Sequence, residues 1–322
     1  MPLGILYALA AGLMWGLVFI APLLLPDYPA ALLSVGRYFA FGLIALMLAW
    51  FDRAGLRRLS RGDWLEALKL ALVGNLLYYL CLASAIQRVG APLPTMIIGT
   101  LPVVIAVCAN HRNTQRDGTL RWRQLLPSLL LIAAGIGCVN RVELLDLQQQ
   151  TPIDGSNYAL GVVLAIAAVA CWTWYPLRNA DWLRAHPDRH PRVWSTAQGV
   201  AVLPLALAGY ALLWLVTRTT SHPLALPFGP RPGLFIGLMV AIGLFASWLG
   251  TLCWNEASQR LPTTLAGQLI VFETLSALGY AFALRGQMPA PLTLLGIALL
   301  ITGVAFAVRL KPVPVVAQEH SA

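Results

Sequence analysis

Two ionisable residues stand deep in apolar surroundings: Arg37 within residues 29–51 and Glu273 within residues 261–284. A charged side chain near the bilayer centre costs at least ~2.5–3.5 kcal/mol on insertion scales, so it faces a cavity or a partner. Glu273 lies midway between Arg260 and Arg285, which places it near mid-membrane. There a carboxyl group titrates a proton, binds a substrate amine, serves as a fixed partner in a helix-interface hydrogen bond, or stays neutral as a protonated acid. Arg37 is about 12 Å into its helix at 1.5 Å per residue. That depth suits recognition of a carboxylate and also allows the side chain to snorkel outward. Glu256, near the end of its apolar run, reads as interfacial.

Aromatic and small polar residues recur around these charges at helical spacing. Asn75, Tyr78 and Tyr79 fall at i, i+3 and i+4; Ser247, Thr251 and Trp254 share one face, and Trp172 with Tyr175 another. Trp15 and Trp248 extend the set. Such faces suit a cavity that takes an apolar side chain and offers a few hydrogen bonds, and equally suit interhelical packing. A zwitterion entering it needs partners for both charged ends.

Other chemistries find no support. The chain has no G-x-x-x-x-G-K-[ST] phosphate loop and no H-E-x-x-H. His186 and His190 are spaced like metal ligands, but Pro187 and Pro191 oppose a helix there, so a solvated loop is expected. Cys81, Cys108, Cys138, Cys171 and Cys253 lie singly in apolar runs, as packing thiols. No metal, cofactor, ATPase subunit or nucleic-acid partner is expected. The net charge of +9 comes from basic residues in short connections.

The elements that hold these residues follow from composition. Apolar residues make up 58% of the 322 and charged residues 11%, and mean hydropathy is +0.72. A soluble chain carries about 25% charged residues, so the chain reads as an all-α integral membrane protein. Long charge-free runs, plus the two interrupted by Arg37 and Glu273, predict ten spans: 3–25, 29–51, 66–88, 91–110, 123–140, 157–179, 193–217, 231–255, 261–284 and 290–309. About 20 apolar residues cross the hydrocarbon layer as a helix. Residues 1–25 lack a basic n-region and read as an uncleaved span rather than a secretory signal. Pro102, Pro176 and Pro204 remove backbone hydrogen bonds inside spans, and Gly12 with Gly16 permits close helix approach.

Alternate connections carry fifteen and five Lys or Arg residues, the larger set including Arg53, Arg116, Arg192 and Lys311. By the positive-inside rule both termini are cytoplasmic. The halves also match. Leu3–Gly4 through Trp15 aligns with Leu160–Gly161 through Trp172, and Ala85–Ile86–Gln87–Arg88 with Ala257–Ser258–Gln259–Arg260. The ends of the fifth and tenth spans match as well. Residues 3–140 and 157–310 are therefore expected to be two five-helix repeats, with 311–322 a short cytoplasmic tail. Five is odd, so the second repeat enters the membrane inverted, and inverted repeats place a shared site near the midplane.

Trp15–Gly16, Arg37 and the run Gly296–Ile297–Ala298–Leu299–Leu300–Ile301–Thr302–Gly303–Val304 resemble the drug/metabolite transporter superfamily, EamA-type branch. Within it the chain is most similar to the YddG-type amino-acid exporters. Two features depart from the pattern: Glu273 is followed by Thr274 rather than proline, and Ala109–Asn110 and Gly286–Gln287 replace Gly-Glu at the ends of the fourth and ninth spans. The resemblance implies a secondary transporter of a bacterial-type inner membrane, not an enzyme, exporting small metabolites and above all amino acids by alternating access. A multidrug or other metabolite exporter is the nearest alternative; a lipid flippase or scramblase and an intramembrane enzyme lie further off. Trp15, Asn75, Tyr78, Tyr79, Trp172, Tyr175, Ser247, Trp248 and Thr251 are the expected cavity wall, with Arg37 and Glu273 beside it.

The charge bias makes a direct prediction. Impermeant labelling of single cysteines should place the 52–64 connection and the C-terminal tail on the same, cytoplasmic side. Opposite sides for the two would overturn the topology.

Overall fold

The computed structural model describes residues 2–89, 92–112, 121–148, 155–219, 226–286 and 288–310. The expected tail at 311–322, with Lys311, lies outside them, as do Arg116 and Gln287. The described residues form ten helical rods. They are α1 (Pro2–Leu24), α2 (Ala30–Leu56), α3 (Arg61–Val89), α4 (Pro92–Gly99 and Leu101–His111) and α5 (Trp122–Gln148). There follow α6 (Gly155–Ala185), α7 (Pro191–Thr219), α8 (Pro232–Arg260), α9 (Thr263–Leu269 and Val271–Arg285) and α10 (Pro291–Val308). Seven are long and apolar enough to cross a membrane outright, and α4, α5 and α10 contain shorter apolar helices.

Several rods run further than the apolar runs predict. The helix of α2 continues to Leu56, α3 starts at Arg61, and α6 reaches Ala185. A capping box explains the start of α3: Ser60 Oγ accepts from Asp63 N, and Asp63 Oδ2 accepts from Ser60 N. Pro102 does not kink α4; it opens its second segment after a break at Thr100, where the missing N–H is harmless. Pro176 and Pro204 lie inside continuous helices.

Successive rods alternate in direction, which defines a face bearing the N-terminus and an opposite face. Five extensive contacts join antiparallel rods, α2 with α7, α3 with α6, α1 with α8, α4 with α9 and α5 with α10, while α1 with α9 and α2 with α8 pack in parallel. Exchanging helix i with helix i+5 leaves the antiparallel set unchanged. Small residues bring the rods together. A Cβ on Gly42 would meet Leu203 in α7, one on Gly74 would meet the Tyr175 ring in α6, and one on Gly135 would meet the Gly296 carbonyl in α10.

Gly12 and Gly16 do what their spacing predicts, on α9. A Cβ on Gly12 would lie 3.0 Å from Glu273 N, and one on Gly16 would lie 2.7 Å from Ser276 Cβ. Bare backbone on α1 thus sets the depth and rotation of the helix that carries Glu273. Gly16→Leu should cost about 1–3 kcal/mol through overpacking, read as a lower melting temperature in detergent. Gly137→Ala, where nothing lies within 4 Å, should leave it unchanged.

Candidate functional site

The middle of the bundle is an aromatic cluster contributed by both halves. Trp15 on α1 meets Trp172 on α6 edge-on and Trp254 on α8 at a tilt, each with ring centroids 5.2 Å apart. Trp172 is stacked between Tyr78 of α3, at 4.7 Å, and Tyr175, one turn away, at 5.1 Å. The two tryptophans that align between the halves are therefore in direct contact. Offset and edge contacts of this kind add about 0.5–1.5 kcal/mol each beyond area burial.

The charges lie beside the cluster. Arg37 is buried, not snorkelling: its guanidinium sits over the rings of Tyr38 and Tyr79, at 4.9 and 5.2 Å. Its Nε donates to Ser247 Oγ across the bundle at 3.1 Å. Glu273 is buried as well, close enough to Arg37 for electrostatic attraction. No Arg37–Glu273 ion pair within 4.0 Å forms among the described residues. The Trp172 indole N–H faces the Glu273 carboxylate without closing a regular hydrogen bond. The site thus holds a guanidinium and a carboxyl group that attract but are not joined, against an aromatic wall.

Two stretches that carry these residues are not regular α-helix. Leu70–Leu77 in α3 and Gly243–Leu249 in α8 are π-helical, and the offset of 172 residues that matches Ala85 to Ala257 also matches Asn75 in the first to Ser247 in the second. The i, i+3, i+4 spacing of Asn75, Tyr78 and Tyr79 therefore begins in a wide turn. Wide turns of this kind occur frequently at functional sites. Asn75 is buried in the α3 stretch, which packs on α6 and α7. Thr251 lies beside the Tyr175 hydroxyl. Trp248 points away from the cluster toward the N-terminal face, where its Nε1 donates to Thr196 Oγ1 at 3.2 Å.

Sequence reasoning missed a polar layer between this cluster and the N-terminal face. Tyr175 donates to Gln198 Oε1 (2.9 Å), Gln198 donates to Asn179 Oδ1 (3.1 Å), Asn179 donates to Asn255 Oδ1 (2.8 Å), and Asn255 donates to Ser195 Oγ (2.9 Å). Asn179, Gln198 and Asn255 are amides inside apolar helices, and that oddity in the sequence was the available signal. Nearer the face, Arg178 pairs with Glu66 and Arg192 with Asp52, while Trp182 donates to Asp63 at 2.9 Å. His186 is not in a free loop: it stacks on Trp182 and lies 3.7 Å from Asp63. Glu256 is buried and pairs with Arg260.

The opposite face is closed by Tyr28. Its hydroxyl donates to Phe228 O at 2.9 Å and accepts from Arg231 N at 2.7 Å, and its ring stacks on Phe235. Gly229 has φ of +71°, and a Cβ there would strike the Tyr28 ring at 2.2 Å, so glycine is required twice over. Arg231 also pairs with Asp27 and holds that carboxyl below its ordinary value through their hydrogen bond. Among the described residues, polar contacts thus bracket the central cluster on both sides.

Residues 2–140 match the EamA-like transporter family. The inner membrane protein YtfF of Escherichia coli (strain K12) is 59% identical over 312 residues, which is 96% of each chain. The chain belongs to the EamA-like transporter family. It is a multi-pass membrane transporter and not an enzyme. The uncharacterized transporter YwfM of Bacillus subtilis (strain 168) is 26% identical, over 92% of this chain and 91% of that one. A protein crystal structure shares the fold at a TM-score of 0.70 and 18% identity, covering 94% of this chain and 96% of that one.

The transporter's two buried charges should be interdependent. Arg37→Gln leaves Glu273 without its counter-charge and should cost about 1–3 kcal/mol, seen as a lower melting temperature. Adding Glu273→Gln should restore most of that loss. Equal, additive losses from the two changes would show that the charges do not sense each other.

Proposed function

We propose that this transporter exports amino acids, aromatic and other apolar ones included, across an inner membrane by alternating access. The observation that carries this reading is the unjoined pair of buried charges. Arg37 offers a cation for a carboxylate and Glu273 an anion for an ammonium group, so a zwitterion satisfies both. Trp15, Tyr78, Trp172 and Tyr175 offer π-faces to the side chain, which predicts broad selectivity. Asn75, Tyr79, Ser247 and Thr251 complete the site in this reading; Trp248, expected in the wall, is turned toward Thr196 and lies outside it.

The transport cycle follows from a two-repeat organisation, residues 3–140 and 157–310. A set of helix pairs that is unchanged when helix i is exchanged with helix i+5, and the contact between Trp15 and Trp172 near the axis, support it. Rocking one half against the other then alternates access to a fixed site. The charge bias supports a cytoplasmic N-terminal face, and the YtfF relative supports inner-membrane placement.

Purified protein in liposomes loaded with labelled amino acids should release phenylalanine and other apolar amino acids without nucleotide. Tyr78→Ala and Trp172→Ala should each slow release at least about tenfold, the equivalent of about 1.4 kcal/mol of lost binding, while remaining monodisperse in detergent. Release of lipid or of unrelated metabolites only, or wild-type flux from both variants, would refute the proposal.

A further inference from the structure

Two adjacent residues of the α8 π-helical stretch bind in different directions. Ser247 accepts from Arg37 at the centre of the bundle, and Trp248 donates to Thr196 nearer the N-terminal face. Thr196 passes the contact on: its Oγ1 donates to Asp52 Oδ2 at 2.8 Å, and the other carboxylate oxygen accepts from Arg192 Nε at 2.7 Å. Thr196 is fully buried and Asp52 nearly so.

The chemistry fixes the polarity of this chain. An indole N–H only donates and an ionised carboxylate only accepts, so the single hydroxyl proton must point to Asp52 and a lone pair must receive Trp248. A buried carboxylate depends on such charge-assisted bonds. Arg192 stands at the start of α7 and Asp52 near the end of α2, where the two rods close on each other. One turn further, a Cβ on Gly55 would lie 2.6 Å from Val193.

We propose that Thr196 and Asp52 are positioning residues that couple the central site to closure of the N-terminal face. An occupant that engages the Arg37 guanidinium draws it from Ser247. The shared wide turn then carries Trp248 off Thr196, which loosens the Asp52–Arg192 clasp and parts α2 from α7. The coupling rests on the reading of the central cluster as the transport site; the clasp itself is independent of which substrate binds there.

The test uses the full chain in membranes, with Val193→Cys as a reporter of the α2–α7 seam and an impermeant thiol reagent applied from the N-terminal face. Signal from the native cysteines is subtracted with the parent chain. Thr196→Val keeps the side-chain shape but removes both hydrogen bonds, and Trp248→Phe removes only the indole donor. Each should raise the labelling rate several-fold without substrate. The double variant should label no faster than the faster single variant, because both cut the same chain. Thr196→Ser, which restores the hydroxyl, should return the parent rate. Unchanged labelling in both single variants, or multiplied effects in the double variant, overturns the proposal. Saturating phenylalanine should speed labelling in the Val193→Cys chain but not when Thr196→Val is added; a response surviving in that variant also overturns the coupling. If phenylalanine has no effect on the reporter chain while the substrate-free pattern holds, the amino-acid reading of the site falls and the clasp stands.

Discussion

Burying charge where no water can solvate it is the constraint from which the rest of this structure follows. Arg37 shows how the constraint is met. Its guanidinium lies against two tyrosine rings, one nitrogen is bonded to Ser247, and Glu273 supplies the opposite charge nearby. Tyr38 adjoins Arg37 on α2, and the other groups arrive on α3, α8 and α9. The helices must therefore be held at fixed depth and rotation, and glycine contacts such as those of Gly12 and Gly16 hold α9 on α1. A short ion pair would neutralise the site completely. A longer separation leaves both side chains able to engage a further group, as the proposed zwitterion site requires.

The same constraint organises the two ends differently. Toward the N-terminal face the acids Asp52, Asp63 and Glu66 are buried and each meets a basic or indole donor from α6 or α7. Breaking one such pair strands a charge, so these contacts favour all-or-none closure. The opposite face is closed with fewer charges: Tyr28 is locked into the α7–α8 connection by two hydrogen bonds and a ring stack. Both closures join one half of the chain to the other. In the proposed cycle they are the contacts that part in turn.

The sequence alone determined the number and rough extent of the helices, because transfer into hydrocarbon depends on local composition and is nearly additive along the chain. It also singled out Arg37 and Glu273, since a charge in an apolar run is conspicuous whatever it touches, and it aligned Trp15 with Trp172 before any contact between them was known. Only the tertiary structure decided what these residues touch. Asp52 and Glu66 sit at the edges of apolar runs, where a sequence reads them as interfacial; their burial follows from partners more than a hundred residues away. The amide layer of Asn179, Gln198 and Asn255 was visible as isolated polar letters, but Asn179 must join the other two for the layer to be satisfied. The π-helical stretches were not legible at all, because the choice between neighbouring backbone hydrogen-bond registers is nearly balanced locally and is settled by packing against α6, α7 and α2. Local transfer energies are written in the order of residues, whereas the pairing of buried polar groups is a property of helices already packed.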